Sequence, residues 1–241
     1  MRWLRAAQKP ESASASALRT IRVRGVSLRV YDLAVSHASE VVRCELQADC
    51  YGVERIRFEP GDVVVDIGGH VGIFSIYLAR RYPYIRVVAF EPTPLNYQHF
   101  VKNIEANRVT NVEVFNLAVT RDGRRLAMIA HRSNTGGATA QLRDMHLAEH
   151  DHYSVPSVTL DAIFAEHRIA RCKLLKIDCE GSEHEILLSA RCLDRVEYLS
   201  GEFHINDYLA GQGYSIERLV AHLQAIMPAE RLHYTECRMA E

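Results

Sequence analysis

The stretch GDVVVDIGGHVG, residues 61–72, decides the fold of this chain of 241 residues. Its run at 63–67 is largely apolar and β-branched, which is typical of a strand buried on both faces of a parallel sheet. Glycines follow this strand, and a helical pattern then runs through residues 71–81. Strand, glycine turn and helix in this order predict the first unit of an open α/β sheet, whose ligands bind beyond the carboxyl ends of the strands.

The same alternation of strand and helix continues through the rest of the chain. Further strands are predicted at 85–90, 112–115, 174–177, 196–199 and 232–235. Further helices are predicted at 94–107, 182–190 and 215–227. Because parallel strands need crossover connections, this rhythm predicts a Rossmann-like α/β fold, with a mostly parallel sheet and helices on both faces.

The chain divides into three regions. Residues 1–20, which contain the small and polar string ESASASA, are predicted to be a flexible leader. Residues 21–55 are predicted to be an N-terminal extension, formed by a hairpin that turns at Gly25 and an amphipathic helix. Residues 56–241 then form the Rossmann-like domain, with a longer insertion at 120–161 between its third and fourth strands.

Composition and charge limit the class of protein. With 48% hydrophobic and 24% charged residues, the chain is typical of a globular protein with a substantial core. Its net charge of −1 lacks the basic excess of proteins that neutralise phosphates, so we expect no nucleic-acid partner. The six cysteines form no C-x-x-C pair, and neither a signal peptide nor a membrane span is found. We therefore expect a cytoplasmic protein with reduced thiols.

Acidic residues accompany the glycines at the predicted ligand site. Asp66 precedes Gly68, Gly69 and Gly72, which gives the pattern D-x-G-x-x-x-G. Glycines at such a turn let the backbone approach a ligand closely. Glu91 ends the second strand, where a carboxylate can accept hydrogen bonds from both hydroxyls of an adenosine ribose.

The spacing of these glycines distinguishes between two adenosine cofactors. Dinucleotides are bound by G-x-G-x-x-G, which brings the pyrophosphate to a helix N-terminus. The spacing here suits a ligand without a pyrophosphate and with a cationic amino-acid end, and S-adenosylmethionine is such a ligand. An NAD-dependent oxidoreductase and a non-catalytic protein that binds an adenosine ligand are the alternatives.

Over residues 51–204 the chain resembles the FkbM family of S-adenosylmethionine-dependent methyltransferases. One matching string would be weak evidence, but six in this order at fitting distances are specific. They are FEPGDVVVDIGGHVGIFS, VVAFEPTPLNYQHFVKNIEAN, VEVFNLAV, VTLDAI, LLKIDCEGSEHEIL and GEFH. The resemblance implies a class I methyltransferase fold and methyl transfer to a hydroxyl of a sugar-containing molecule or a secondary metabolite.

The resemblance also assigns residues to the site. The cofactor-binding positions that it implies are Asp66, Gly68, Gly69, His70, Gly72, Glu91, Asn116 and Ala118. Gly69 stands where alanine is common in the family, and His70 where asparagine is common. The acidic signature D-x-E-G-x-E is matched by Asp178, Glu180, Gly181 and Glu183.

An alcohol is a poor nucleophile until its proton leaves, so the reaction needs a base near the fourth strand. Asp178, Glu180 and His204 are the candidate catalytic residues. Asp178 and Glu180 share a face if the strand continues regularly. The loop that commonly goes with methylation of ring amines, Asp/Asn-Pro-Pro-aromatic, is absent here, which favours an oxygen acceptor.

Two alternatives to a catalytic role for the acidic residues near the fourth strand have less support from the sequence. A divalent cation could be held by Asp178 and Glu180 with Glu202 or His204, since carboxylate oxygens suit hard cations, but no metal is predicted. Glu183 could simply favour the N-terminus of the helix that follows.

The insertion supplies the candidate substrate-binding residues. In SNTGGAT, residues 133–139, Asn134 and Thr135 offer hydrogen bonds to an acceptor, and the glycines could act as hinges. The acceptor is expected to be a small molecule or a glycan. The histidine-rich segment 146–152 matches H-x-x-E-H, but we interpret it as a solvated polar loop.

Overall fold

The computed structural model describes residues 16–131, 135–140 and 150–239. The described chain opens with an antiparallel hairpin of β1 (Ser16–Val23) and β2 (Val26–Leu33), followed by α1 (Ala38–Ala48). The hairpin predicted at Gly25 is confirmed, and Gly25 has a positive φ of 86°. Residues 16–20 were expected in the leader but belong to β1, because the register pairs them with the second half of β2.

The remaining elements alternate between strand and helix as the sequence predicts, except in the segment that contains the insertion, where five strands follow one another with no helix among the described residues between them. The strands are β3 (Val63–Ile67), β4 (Arg86–Phe90), β5 (Val112–Phe115), β6 (Ala118–Val119), β7 (Leu126–His131), β8 (His150–Val155), β9 (Ser157–Val158), β10 (Cys172–Ile177), β11 (Val196–Ile205) and β12 (Leu232–Arg238). The helices are α2 (Ile73–Arg81), α3 (Pro94–Asn107), α4 (Leu160–Glu166), α5 (Glu183–Ser189), α6 (Asp207–Gly211) and α7 (Ile216–Gln224).

Six strands form the central sheet in the order β12-β11-β10-β3-β4-β5, and every adjacent pair is parallel. The chain builds the sheet outward from β3 in one direction and from β10 in the other. This reversal creates a crevice at the carboxyl ends of β3 and β10, where open α/β sheets bind their ligands. The predicted α/β fold with a parallel sheet is confirmed.

Alternate residues of the sheet face two separate cores. Val64 and Leu174 pack with α2 and the hairpin, whereas Val65 and Leu175 pack with α4, α5 and α7. The N-terminal extension therefore shares a core with the domain. Side-chain amides join them further: Asn103 of α3 donates to the carbonyl of Tyr31 in β2 and accepts from its N–H.

The insertion is a small β-structure beside the sheet. β7 and β8 form an antiparallel hairpin, and β6 pairs with β9. Most of the histidine-rich segment, residues 146–149, lies outside the described residues, while residues 150–152 belong to β8. No helix in the described parts of the chain is both long enough and apolar enough to span a bilayer.

Candidate active site

A pocket of about 880 Å³ opens at the carboxyl ends of the central strands. Segments that follow β3, β4, β5 and β10 line it, together with the ends of β11 and β12 and one side of α1. Its wall contains eight residues predicted from the sequence: Gly68, His70, Glu91, Ala118, Thr135, Asp178, Glu180 and His204. The fold therefore brings the three predicted catalytic residues and four of the eight predicted cofactor-binding residues to one cavity, whereas Asp66, Gly69, Gly72 and Asn116 lie outside its lining.

Close packing explains the glycines in the turn after β3. Gly68 and Gly72 have φ of +77° and +89°, a conformation that favours glycine. A Cβ on Gly68 would lie 1.8 Å from the carbonyl oxygen of Asp178, and one on Gly72 would lie 2.2 Å from the Phe100 ring. Gly69 faces the same ring. The glycines let the turn after β3 approach the turn after β10.

The buried side chain of Lys176 contacts the turn after β3 and forms ion pairs beside it. Lys176 Nζ lies 3.4 Å from Asp66 Oδ1 and 3.7 Å from Asp178 Oδ2, and it donates to the carbonyl oxygen of Gly68 at 2.8 Å. Burial lowers the pKa of Lys176, but the charges of Asp66 and Asp178 outweigh it and raise the pKa above its usual value. Asp66 is fully buried and acts on the pocket through Lys176 and the turn.

Glu91 lies in the pocket wall with both carboxylate oxygens engaged. The backbone N–H of His70 donates to Oε2 at 2.8 Å, and the backbone N–H of Thr93 donates to Oε1 at 2.8 Å. Burial raises the pKa of Glu91 to about 7, against the opposing effect of these hydrogen bonds. Asn96 adds a longer contact to Oε1, and its own Oδ1 has no hydrogen-bond partner among the described residues.

These observations fit the adenosine end of S-adenosylmethionine. Glu91 Oε2 accepts one hydrogen bond within the protein, so it has a second lone pair with which to accept a ribose hydroxyl. Asn96 Oδ1 supplies a further acceptor in the same wall. Gly68 also lines the pocket, and because it has no side chain its backbone can approach the amino-acid end of the cofactor closely. The residues present therefore fit the cofactor.

Thr135 ties the insertion to the cofactor turn and to the hairpin. Its hydroxyl lies 2.7 Å from His70 Nε2 and 2.9 Å from Ser36 Oγ, and it donates to Asp32 Oδ1 at 3.0 Å. Burial lowers the pKa of His70 to about 4, so this imidazole is neutral. Thr135 lines the pocket as expected, but its hydroxyl is engaged by the protein rather than left for an acceptor. Asn134 lies outside the described residues.

The segment after β5 divides into a structural and a pocket-lining part. Asn116 donates to the carbonyl oxygens of Glu91 and Pro92, both at 2.9 Å, and so fixes the turn after β4. Leu117 and Ala118 line the pocket. Asn116 therefore does not line the pocket itself but holds the backbone of the turn after β4, which does.

Glu180 lies in the turn after β10, which ends at Ile177, so Asp178 and Glu180 do not continue a regular strand. Glu180 has a positive φ of 52°, an uncommon conformation for a non-glycine residue that often accompanies function. Burial raises its pKa to about 7, while the charge of His204 opposes the rise. A carboxylate poised near neutral pH in a pocket wall is suited to proton transfer.

His204 lies inside β11, which is longer than predicted because it pairs with β12 as far as Ile205. Its Nε2 lies 3.7 Å from Glu180 Oε2 and 3.8 Å from Glu202 Oε2. Burial lowers the pKa of His204, but nearby carboxylates outweigh this effect and raise it to about 10. The side chain is therefore a cation at neutral pH.

Among the described residues, two groups of side chains have possible metal-binding atoms within 4.8 Å of one another: Glu202, His204 and Cys237, and Asp178, Glu183 and His204. The Cys237 thiol donates to Glu202 Oε2, and His204 pairs with Glu202 and Glu183.

Sequence reasoning missed Asn96 and Glu45 in the pocket wall. Asn96 had a local signal, because it follows Glu91 by five residues in the first turn of α3. Glu45 lies on α1, and only the packing of the extension brings it to the pocket. Nothing in its local sequence indicates that position.

Comparisons with known proteins find similar methyltransferases. The chain is 27% identical to the 31-O-demethyl-FK506 methyltransferase FkbM of Streptomyces tacrolimicus, over 78% of this chain and 85% of that protein. It is 28% identical to Methyltransferase 1 of Beauveria bassiana, over 61% of this chain and 66% of that protein. The chain thus spans just under two thirds of the fungal relative.

Among solved structures, the precorrin-6y C5,15-methyltransferase of Geobacter metallireducens GS-15 aligns with 74% of this chain and 70% of that chain, at a TM-score of 0.42 and 16% identity. The catalytic domain of METTL16 aligns with 77% of this chain and 57% of that chain, at a TM-score of 0.40 and 14% identity.

A family profile decides between the cofactors that the sequence left open. The profile described as Methyltransferase FkbM domain matches residues 66–222, well over half of the chain. The match begins at Asp66 and includes the glycine turn, Glu91, the turn after β10 and His204. The chain therefore belongs to the FkbM family of S-adenosylmethionine-dependent methyltransferases.

Proposed function

We propose that this methyltransferase methylates a hydroxyl oxygen of a secondary metabolite or a sugar-containing molecule. The observation that supports this most directly is the position of Glu180, a carboxyl in the pocket wall whose pKa is raised to about 7 by burial. Such a group is a general base for an alcohol at neutral pH. The name of the Streptomyces relative, a 31-O-demethyl-FK506 methyltransferase, supports the same class of acceptor.

The residues divide the pocket into two ends. Glu91 and Asn96, with the segment Leu117–Ala118, are proposed to hold the adenosine end of the cofactor. When bound, S-adenosylmethionine supplies an activated methyl group on a sulfonium sulfur, which leaves as a neutral thioether. The turn at Gly68 is proposed to hold the amino-acid end of the cofactor, and Lys176 holds this turn by donating to the Gly68 carbonyl oxygen.

The acceptor end is proposed to lie among Asp178, Glu180 and His204. Glu180 would take the proton from the acceptor hydroxyl, which would make its oxygen a nucleophile for the methyl group that the cofactor would supply. Asp178 accepts a hydrogen bond that orients the acceptor, since its carboxylate is partly exposed at the pocket. Holding the hydroxyl in line with the methyl group supplies much of the remaining rate enhancement.

The pocket wall contains both acidic and apolar residues, and this combination bears on the chemical class of the acceptor. The wall also contains Val35, which precedes α1, and Val41 and Val42 on α1, and Met128 and Met239 face the same cavity. An acceptor with an apolar body and a hydroxyl would match both parts of this wall. This favours a secondary metabolite over a free sugar.

An acceptor screen tests the proposal. The protein is incubated with S-adenosylmethionine and, separately, with 31-O-demethyl-FK506, polyketide alcohols, glycosides and free sugars, and S-adenosylhomocysteine is measured. We expect product with an apolar alcohol, and mass spectrometry with NMR should place the new methyl group on oxygen. Methylation at nitrogen or carbon by the intact protein would contradict the proposal.

A further inference from the structure

Glu183 makes more contacts than a helix N-terminus requires. It is the first residue of α5 and is fully buried. Its Oε1 accepts the backbone N–H of Cys179 at 2.6 Å, and its Oε2 accepts the backbone N–H of Gly181 at 3.0 Å. The same Oε1 lies 3.2 Å from His204 Nδ1. The carboxylate thus joins the turn that contains Glu180 to a side chain of β11.

The His204 ring is fixed from several sides. Both oxygens of Glu183 accept backbone N–H groups, so Oε1 also acts as the acceptor toward His204, and Nδ1 carries the proton between them. The backbone carbonyl of His204 accepts from His184 Nε2 at 2.8 Å, which holds the strand against α5. The other ring nitrogen, Nε2, is then directed to the side where Glu180 and Glu202 line the pocket.

We propose that Glu183 is a positioning residue that holds His204 by Nδ1–H, so that Nε2–H faces the acceptor oxygen beside Glu180. The arrangement separates two roles: His204 orients the acceptor by donating a hydrogen bond, and Glu180 receives the acceptor proton. Pairing of a ring nitrogen with a buried carboxylate is a general means of fixing an imidazole. This inference rests on the proposed function.

The surrounding charges agree with this division of roles. The groups that face His204 are Glu183 and His184 from α5, Asp178 and Glu180 from the turn after β10, Glu202 from its own strand, and Cys237 from β12. Four of the six are carboxylates, which favour the doubly protonated imidazolium over the neutral ring. An imidazolium has no lone pair with which to accept a proton, whereas Glu180 does.

NMR tests the orientation without requiring an acceptor. The protein is labelled with ¹⁵N-histidine, bound to S-adenosylhomocysteine, and compared with His204→Gln to assign the ring signals. We expect a downfield Nδ1 proton for His204, as a hydrogen bond to a carboxylate produces, and protonation of both nitrogens at neutral pH. Glu183→Gln should abolish the downfield signal. An Nδ1 without a proton in the wild-type protein would overturn the proposal even if Glu183→Gln does not fold.

Glu185→Gln is the matched control. Glu185 lies in the same first turn of α5 and is also buried, but its Oε1 accepts from Arg124 at 2.9 Å. This variant should leave the His204 signals unchanged. Loss of the downfield proton in Glu185→Gln as well would mean that the helix, and not the Glu183 carboxylate, sets the ring.

A double-mutant cycle tests the function with the best acceptor from the screen. Glu183→Gln should lower kcat by about 10-fold or more with little change in the KM for S-adenosylmethionine. In the His204→Gln background the same change should lower kcat by a smaller factor, because the part of its effect that acts through the ring is already lost. Additive losses in kcat would show a merely structural role. Isothermal titration of S-adenosylhomocysteine into Glu183→Gln distinguishes failure of this inference from failure of the proposed function. If the variant binds S-adenosylhomocysteine and its kcat equals that of the wild type, only the positioning role of Glu183 is contradicted.

Discussion

His70 Nε2 lies 2.7 Å from the Thr135 hydroxyl, although 65 positions separate the two residues. The contact joins the turn that precedes α2 to the glycine-rich part of the insertion. The backbone N–H of the same histidine donates to Glu91, the proposed ribose-binding residue. One residue therefore links the pocket wall at Glu91 to the segment 135–139, which lines the same pocket.

Thr135→Val should destabilise the protein. The substitution keeps the shape of the side chain but removes one buried hydrogen-bond partner from each of Asp32, Ser36 and His70. We expect the free energy of unfolding to fall by about 1–3 kcal/mol. Urea denaturation measures it, with Thr110→Val, a change at an exposed threonine, as the control. Equal stability of the two variants would contradict the buried network.

This contact also shows where sequence reasoning stops. The bounds of β3 and the place of Glu91 followed from local pattern, because a buried strand and its glycine turn leave a signature within about ten residues. The partners of His70 and Glu183 come from distant segments, so no local pattern contains them. Residues 16–20 were missed because pairing with β2, rather than their small and polar composition, makes them a strand.

The extent of β11 has a similar explanation. Glu202 and His204 are polar, and a polar end argues against a buried strand in an isolated sequence. In the fold both residues lie in the pocket wall, while β12 provides the backbone partners out to Ile205. Departures from local rules of this kind are expected at functional sites.

Gly68→Ala should destabilise the protein more than a glycine-to-alanine substitution at another position with similar backbone geometry. Gly213 also has a positive φ, of +84°, but nothing lies within 4 Å of a Cβ added there. We expect Gly213→Ala to lower the free energy of unfolding by about 1 kcal/mol. Gly68→Ala should lower it by about 1–3 kcal/mol more, because the methyl group meets the carbonyl of Asp178. Chemical denaturation gives both values, and equal costs would rule out the close approach of the two turns.

Glu180→Gln should separate binding from turnover. Without a base, the rate of methyl transfer should fall by about 10²- to 10⁴-fold, while the affinity for S-adenosylhomocysteine stays the same. Because the base must be ionised, kcat of the wild-type enzyme should rise with pH through about 7, the pKa to which burial raises Glu180. A variant that retains full activity would remove Glu180 from the mechanism.

His204 should make stability depend on pH above neutrality. Its pKa rises from 6.5 to about 10 on folding, because nearby carboxylates outweigh the effect of burial. Between pH 6.5 and 10 the folded state therefore holds a proton that the unfolded state has lost. The stabilisation is fully present below pH 6.5 and is lost as pH rises toward 10, at up to about 1.4 kcal/mol per pH unit. Urea unfolding across this range should show a flatter dependence for His204→Gln than for wild type. His37→Gln, a change at an exposed histidine, should keep the wild-type slope.

The most direct test of the account is calorimetric titration of S-adenosylhomocysteine into wild-type protein, Glu91→Gln and Glu105→Gln, with NAD as the comparison ligand. Glu105 is an exposed carboxylate on α3 and serves as the matched control. We predict one site in the wild type and in Glu105→Gln, an affinity about 10- to 100-fold lower in Glu91→Gln, and no binding of NAD. Tight binding that is unaffected by Glu91→Gln, or preferential binding of NAD, would contradict the assignment of this pocket.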